Sequence, residues 1–306
     1  TVNVAKMIEI MHTVPAKAFM LQTNGTLIHR IPKTYYSKFN SILLSIDGNQ
    51  ETTDYYRGEK TYERIIENGK LLRDNGFTGD LVARMTTSYN TNIFKEVLHL
   101  LNLQNPKFDH IHWQLDVMWD TDYELNKEKI MNWIASDYNP GITELVNYWV
   151  DEITKNGIIE GIAPFLGITY SLLTGEKSDL KCGAGKDFFA ITTDGRITMC
   201  PILPSYEFIV GDIKNSKPEE LVDKISLGEP CISCDVRDIC GGRCLYTNKT
   251  KYWGDEGFDL VCSTVKHLIN ELRKNVSTIK QALTTHGLEI SDFKYPVIPN
   301  GVEIIP

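Results

Sequence analysis

"HIHWQLDV", residues 110–117, decides how the chain is read. In an extended backbone successive side chains point to opposite faces. His110, His112, Gln114 and Asp116 then share one face, and Ile111, Trp113, Leu115 and Val117 share the other. Three other β-prone runs divide in the same way. In "KAFMLQTNG" (17–25) Gln22 and Asn24 oppose Phe19 and Leu21. In "SILLSIDG" (41–48) Ser45 and Asp47 oppose Ile42, Leu44 and Ile46, and in "DLVARMTT" (80–87) Arg84 and Thr86 share a face. "GIIEGIAPF" (157–165) reads as a fifth strand.

Between these runs, "TYERIIENGKLLRDNG" (61–76), "NIFKEVLHLLNL" (92–103) and "TELVNYWVDEITKNG" (143–157) carry apolar residues at helical spacing and end near Gly or Asn. Strand and helix in alternation predict an α/β fold with a parallel sheet, open or closed into a barrel. A half-polar sheet facing water would suit antiparallel pairing better than a parallel sheet covered by helices. The expectation is a barrel whose polar interior binds a ligand at the strand C-termini. His112 alone would carry little, because a buried His bonded to a neighbour is common; four polar strands together carry more. "VNVAKMIEIMHTV" predicts a helix feeding the first strand with no strand of its own before it, and residue 1 is Thr. The expectation is a barrel lacking its first strands.

With 40 acidic against 32 basic residues the net charge is -8, which disfavours nucleic acid as a partner. No apolar run approaches the roughly 20 residues of a membrane helix and no signal peptide opens the chain, so a cytoplasmic location and no membrane partner are expected. A reducing compartment favours metal ligation or catalysis over disulfides for the seven cysteines. All seven fall between Cys182 and Cys262.

Their spacing is Cys182-x17-Cys200, then Cys231-x2-Cys234-x5-Cys240-x3-Cys244, then x17 to Cys262. Asp194-Gly195, between two β-prone runs, predicts a type I′ hairpin that returns Cys200 toward Cys182. Zinc is one candidate, although zinc frameworks favour paired C-x2-C knuckles and seven thiolates fill two closed sites only if a residue such as His267 is the eighth. Seven also divides as four plus three, one fully ligated [4Fe-4S] cluster and one with an open iron position. Gly241 and Gly242 permit close backbone approach, so that amides would meet cluster sulfurs; an ordinary loop is the alternative. Arg237, Arg243 and Lys251 read as solvated residues. Val265, Leu268, Ile269, Leu272 and Val276 form a helical apolar stripe suited to packing.

The pattern C-x(9–15)-G-x4-C, C-x2-C-x5-C-x3-C, C resembles the SPASM domain of radical S-adenosylmethionine (SAM) enzymes, and Cys182, Gly195, Cys200, Cys231, Cys234, Cys240, Cys244 and Cys262 match every position. "LQTNGTLI" and "LLSIDGNQETTDYYRG" resemble strand motifs of the same enzymes. With "ARMT", "HWQLDV" and "CDVRDICGGRCL", the chain is most similar to the archaeal-type peptide-modifying radical SAM group. The resemblance implies a partial (β/α)6 TIM-like barrel over residues 1–165, a SPASM domain over 166–275, and a helix end and tail over 276–306. It implies cleavage of SAM at a cluster held by CxxxCxxC. That motif and GGEP are absent here; "TVN" resembles the continuation of GGEP, so the fragment alone is expected to be inactive.

By the same resemblance, Cys231, Cys234, Cys240 and Cys262 would bind one auxiliary [4Fe-4S] cluster and Cys182, Cys200 and Cys244 the other, a third cluster belonging to the full-length protein. The open iron position is expected to bind substrate or an exogenous ligand, unless Glu176 or Asp179 fills it. Gln22, Asn24, Ser45 and Asp47 would line the SAM pocket. Arg57 would support it, or instead pair with Asp54 or Glu59. Arg84, by its inward face alone, would meet the cofactor carboxylate, and Asp116 is the candidate for proton transfer. The implied partners are a peptide or protein substrate and a low-potential donor such as a ferredoxin or flavodoxin. Sulfatase maturases carry a catalytic Asp where this chain has Pro201, which argues against formylglycine formation. Other classes remain open: a non-catalytic iron-sulfur electron carrier or binding protein, and a zinc-stabilised interaction domain.

Overall fold

The computed structural model describes residues 3–116, 122–202, 206–296 and 305–306. Its N-terminal part runs α1 (Val4–Thr13), β1 (Met20–Thr23), β2 (Ser41–Ser45), α2 (Gln50–Arg57), α3 (Thr61–Asp74), β3 (Asp80–Thr87), α4 (Ile93–Leu101), β4 (His110–Leu115), α5 (Asp122–Trp133), α6 (Asn139–Asp151) and α7 (Ala163–Thr174). The strands pair in the order β1-β2-β3-β4, all parallel. Val117, at the end of the expected fourth strand, and Thr1 and Val2 lie outside the described residues.

Paired residues of a parallel sheet share a face, so register decides which side chains meet. Ser45 is level with Arg84 and Arg84 with His112, while Thr86 is level with Gln114. The polar groups of adjacent strands thus stand in rows toward the strand C-termini. On the other face Ile42, Leu44, Leu81, Ala83, Met85, Ile111 and Trp113 are fully buried. Gly69 lets α3 close on Pro106, whose ring a Cβ would overlap, and Trp113 meets Phe165 of α7 edge-on with centroids 5.9 Å apart. The Trp113 indole N–H donates to the Tyr138 hydroxyl at 2.9 Å, so this large apolar surface is buried without stranding its one polar atom.

The expected fifth strand shrinks to one parallel bridge between Ile111 and Ile162. Ile111 N–H donates to the Gly161 carbonyl at 2.7 Å, and a Cβ at Gly161 would overlap the Asp109 carbonyl. Pro164 then falls in the first turn of α7, where proline favours a helix start, so the chain turns helical before a strand can lengthen.

The remainder comprises β5 (Ala190–Ile191), β6 (Arg196–Thr198), β7 (Ile209–Asp212), α8 (Arg237–Cys240), α9 (Leu245–Thr250), α10 (Gly254–Lys274) and α11 (Val276–His286). β5, β6 and β7 form an antiparallel sheet over a second small core of Leu180, Ile197, Met199, Val210, Leu221, Leu227 and Leu245. The turn at Asp194-Gly195 is not type I′. Only Gly195 has positive φ (86°), Thr192 accepts from Gly195 N–H, and Thr192 N–H donates to Arg196, which is a three-residue loop with Gly in the left-handed position. The α10 stripe Val265, Leu268, Ile269 and Leu272 is buried in the main core, and Val276 begins the next helix. No helix among the described residues is long and apolar enough to cross a membrane.

Candidate functional site

α2, "QETTDYYR", buries only Thr53, so polar contacts hold it to the sheet. Asn49 caps it by accepting from Thr52 N–H at 2.9 Å. The buried Glu96 of α4 accepts from Asn49 N–H at 2.6 Å and from the Thr52 hydroxyl at 2.7 Å. Asp47, 1% exposed, takes two bonds from Arg57, each 2.6 Å, and one from Thr86 N–H at 2.8 Å. The ion pair expected as an alternative for Arg57 therefore exists, with a different acid. Asp54 instead accepts from the Lys60 and Tyr62 amides. Glu96 has no signal in the sequence; on an amphipathic helix, nothing marks a buried carboxylate as different from a solvated one.

Ser45 and Arg84 are half-buried and His112 is fully buried along one row of the polar face. Gln22 is exposed on β1. Asn24 is exposed beyond it and accepts from both the amide and hydroxyl of Thr26, a turn that carries the chain off the strand. Asp116 is exposed just past β4, its N–H bonded to the Thr87 carbonyl at 2.8 Å. The face thus gathers Ser45, Arg84, His112 and Gln114, while Asp47 and Arg57 are committed to each other at its rim.

The cysteines divide by position. Cys231, Cys234, Cys240 and Cys262 line one cavity, together with Val236, Phe258, Val261 and Val265. Cys234 N–H donates to the Cys231 carbonyl, which turns the knuckle, and Cys240 ends α8. Gly241, Gly242 and Arg243 then have φ of 72°, 87° and 44°. These left-handed residues turn the amides of Gly242 and Arg243 onto the Cys240 sulfur. Burial raises the pKa of Cys231, Cys240 and Cys262, the last to about 12, with neighbouring thiols adding to the effect. Cys182 packs on the second core, which also holds Met199 and Leu245, the chain neighbours of Cys200 and Cys244. Leu180 N–H donates to the Gly241 carbonyl and Ser178 N–H to the Asp238 carbonyl, joining the Cys182 segment to the Cys240 turn.

No cysteine is in a disulfide. Among the described residues no three His, Cys, Asp or Glu side chains are drawn together as a ready metal site. The donor chemistry of the cavity nonetheless fits a thiophilic group: four thiols, apolar walls and backbone N–H groups on a sulfur. His267 is not an eighth ligand there. Its Nε2 lies 2.9 Å from the Asn139 carbonyl and 3.0 Å from the Thr143 hydroxyl, against α6. Asp179 is held by Lys186 and Arg237; partial burial opposes its ionisation, but their hydrogen bonds prevail and lower its pKa. Arg237 is thus an ion-pair residue rather than a solvated one.

The parallel four-stranded sheet with this cysteine-bearing C-terminal part is a fold shared with solved structures of an AdoMet-bound protein. The particular solved structures that it matches include native anSMEcpe with bound AdoMet and Cp18Cys peptide, at a TM-score of 0.64 and 18% identity over 92% of this chain and 81% of that one. Native anSMEcpe with bound AdoMet and Kp18Cys peptide matches at 0.61 and 18% over 89% and 80%, and native anSMEcpe with bound AdoMet at 0.61 and 19% over 88% and 76%. No protein-family model and no curated protein matches the chain.

Proposed function

We propose that the chain is part of a radical SAM/SPASM enzyme, an oxidoreductase or maturase that modifies a peptide or protein, built as a partial barrel followed by a SPASM domain with two auxiliary [4Fe-4S] clusters. The observation that carries this is the cavity lined by Cys231, Cys234, Cys240 and Cys262 and by no other cysteine among the described residues. These four residues are separated by Cys244 in the sequence, and they are the set that the family resemblance groups on one cluster. In such an enzyme SAM, reduced by one electron at a cluster held by CxxxCxxC, would supply the radical that removes a substrate hydrogen, and the auxiliary clusters would supply a route for the electron. The residues of this chain bind and orient.

Ser45 and Arg84 would hold the cofactor on the polar face, with Gln22 and Asn24 at its edge, and Asp47 with Arg57 would keep α2 and the rim in place. Asp116, at the open end of β4, would accept a proton. The Gly242 and Arg243 amides would stabilise charge on the Cys240 sulfur. Cys182, Cys200 and Cys244 would serve the second cluster, whose open position would bind substrate or an exogenous ligand unless Glu176 fills it, Asp179 being engaged by two cations. Reducing equivalents would come from a ferredoxin or flavodoxin. Formylglycine formation is outside the proposal, because Pro201 occupies the place of the maturases' Asp.

The test is anaerobic reconstitution followed by iron analysis and EPR. The chain is expected to hold about eight irons if both clusters form. Replacing Cys231, Cys234, Cys240 and Cys262 together by Ala should remove about half. About one zinc per four thiolates and no iron would defeat the cluster assignment and favour the zinc-stabilised domain.

A further inference from the structure

The residues Ile305 and Pro306 are buried, Ile305 to 2% exposure, at the C-terminal end of the sheet's polar face. The Gln114 amide donates to the Ile305 backbone oxygen at 3.1 Å. Arg243 Nε donates to the Pro306 backbone oxygen at 2.7 Å. Gln114 belongs to β4; Arg243 belongs to the turn between Cys240 and Cys244 and lines the thiol cavity. Two consecutive backbone oxygens are therefore held by side chains from the two chemically different parts of the protein. At the opposite end of the same face, Tyr295 is buried with its hydroxyl donating to Asp80 at 3.3 Å and its ring edge-on to His110.

Gln and Arg donors on backbone oxygens recognise a main chain and are indifferent to side-chain identity, and the burial of Ile305 adds a preference for an apolar residue. We propose that the cleft between the end of β4 and the Cys240–Cys244 turn is a peptide-binding site, and that the chain's own Ile305-Pro306 occupies it in the resting protein, so that an incoming peptide must displace the tail. Only the identification of this cleft as the substrate's rests on the radical-enzyme proposal above. A peptide with one carbonyl on Gln114 and the next on Arg243 lies between the polar face and the thiol cavity. A tethered occupant acts at an effective concentration of order millimolar, so free peptide at micromolar levels competes poorly with it.

The test is fluorescence anisotropy of a labelled hexapeptide, Gly-Val-Glu-Ile-Ile-Pro, the sequence of residues 301–306. It is titrated with the full chain, with full-length Ile305→Asp, and with a chain ending at Asn300. Ile305→Asp puts a carboxylate in a buried apolar place and should release the tail. Both altered chains are expected to bind the peptide at least about tenfold more tightly than the unaltered chain. Gln114→Ala in the Ile305→Asp background should weaken that binding, as should a peptide with Asp at its fifth position. Equal affinity for all three chains would overturn tail occupancy, and absence of binding to any would overturn the peptide site. If the shortened chain fails to fold by circular dichroism, Ile305→Asp decides alone. Binding needs no radical chemistry: failure to bind with iron content intact defeats this proposal only, whereas zinc in place of iron defeats the enzyme proposal whatever the peptide does.

Discussion

Replacing Asp47 by Ala should cost the fold more than any surface ion pair would. Asp47 is 1% exposed and its side chain accepts two bonds from Arg57 and one from Thr86 N–H. Hydrogen bonds to charged groups are each worth about 1.5–3 kcal/mol. The Arg57 side chain is 22% exposed, so water recovers part of its loss. The net cost is then about 3 kcal/mol, near the lower end for breaking a buried pair. With unfolding entropy of about 2.1 cal/mol/K per residue, this is a fall in Tm of about 5 °C for a chain of this length. Arg57→Ala should cost at least as much, because it strands a buried carboxylate. The double variant should be no worse than Arg57→Ala alone, a coupling of about 3 kcal/mol, equal to the Asp47→Ala cost. Urea and thermal unfolding of the two single variants and the double variant measure this. Single-variant losses under about 0.5 kcal/mol, or losses that simply add, would refute the idea that this pair docks α2.

Gly48→Ala should lower stability by about 2 kcal/mol or more, since φ is +131° and a Cβ would overlap the Glu96 carboxylate; a thermal melt reads it. For Asp179 the lowered pKa means that the folded state binds the proton less readily than the unfolded chain. Its stabilisation is present at neutral pH and is lost as pH falls below about 4 and through the lowered value. The Tm gap between wild type and Asp179→Asn should accordingly narrow as pH falls through that range. Cys182→Ala, Cys200→Ala and Cys244→Ala should each alter the EPR signal left intact by the Cys231, Cys234, Cys240 and Cys262 replacements. One common signal lost in all seven variants would contradict two separate clusters.

Features that depend on neighbours along the chain were legible before any folding was considered. Alternation in "HIHWQLDV" and "DLVARMTT" set the faces of β4 and β3, and helical spacing set α3, α4 and α10, because period and face are local properties of backbone geometry. The grouping of Cys231, Cys234 and Cys240 with distant Cys262 was legible through the resemblance, and the four line one cavity. Other features were decided only in three dimensions. Arg57 chose Asp47 over the nearer Asp54 and Glu59 because the strand end presents a buried acceptor, whereas Asp54 is taken up by amides. "GIIEGIAPF" became a single bridge because Pro164 starts a helix against the sheet edge. His267 turned to α6 rather than to the thiols. The placement of Ile305 and Pro306 on Gln114 and Arg243 has no local signature at all. Main-chain oxygens carry no sequence information, and a contact spanning 191 residues exists only once the sheet and the cysteine turn are folded against each other.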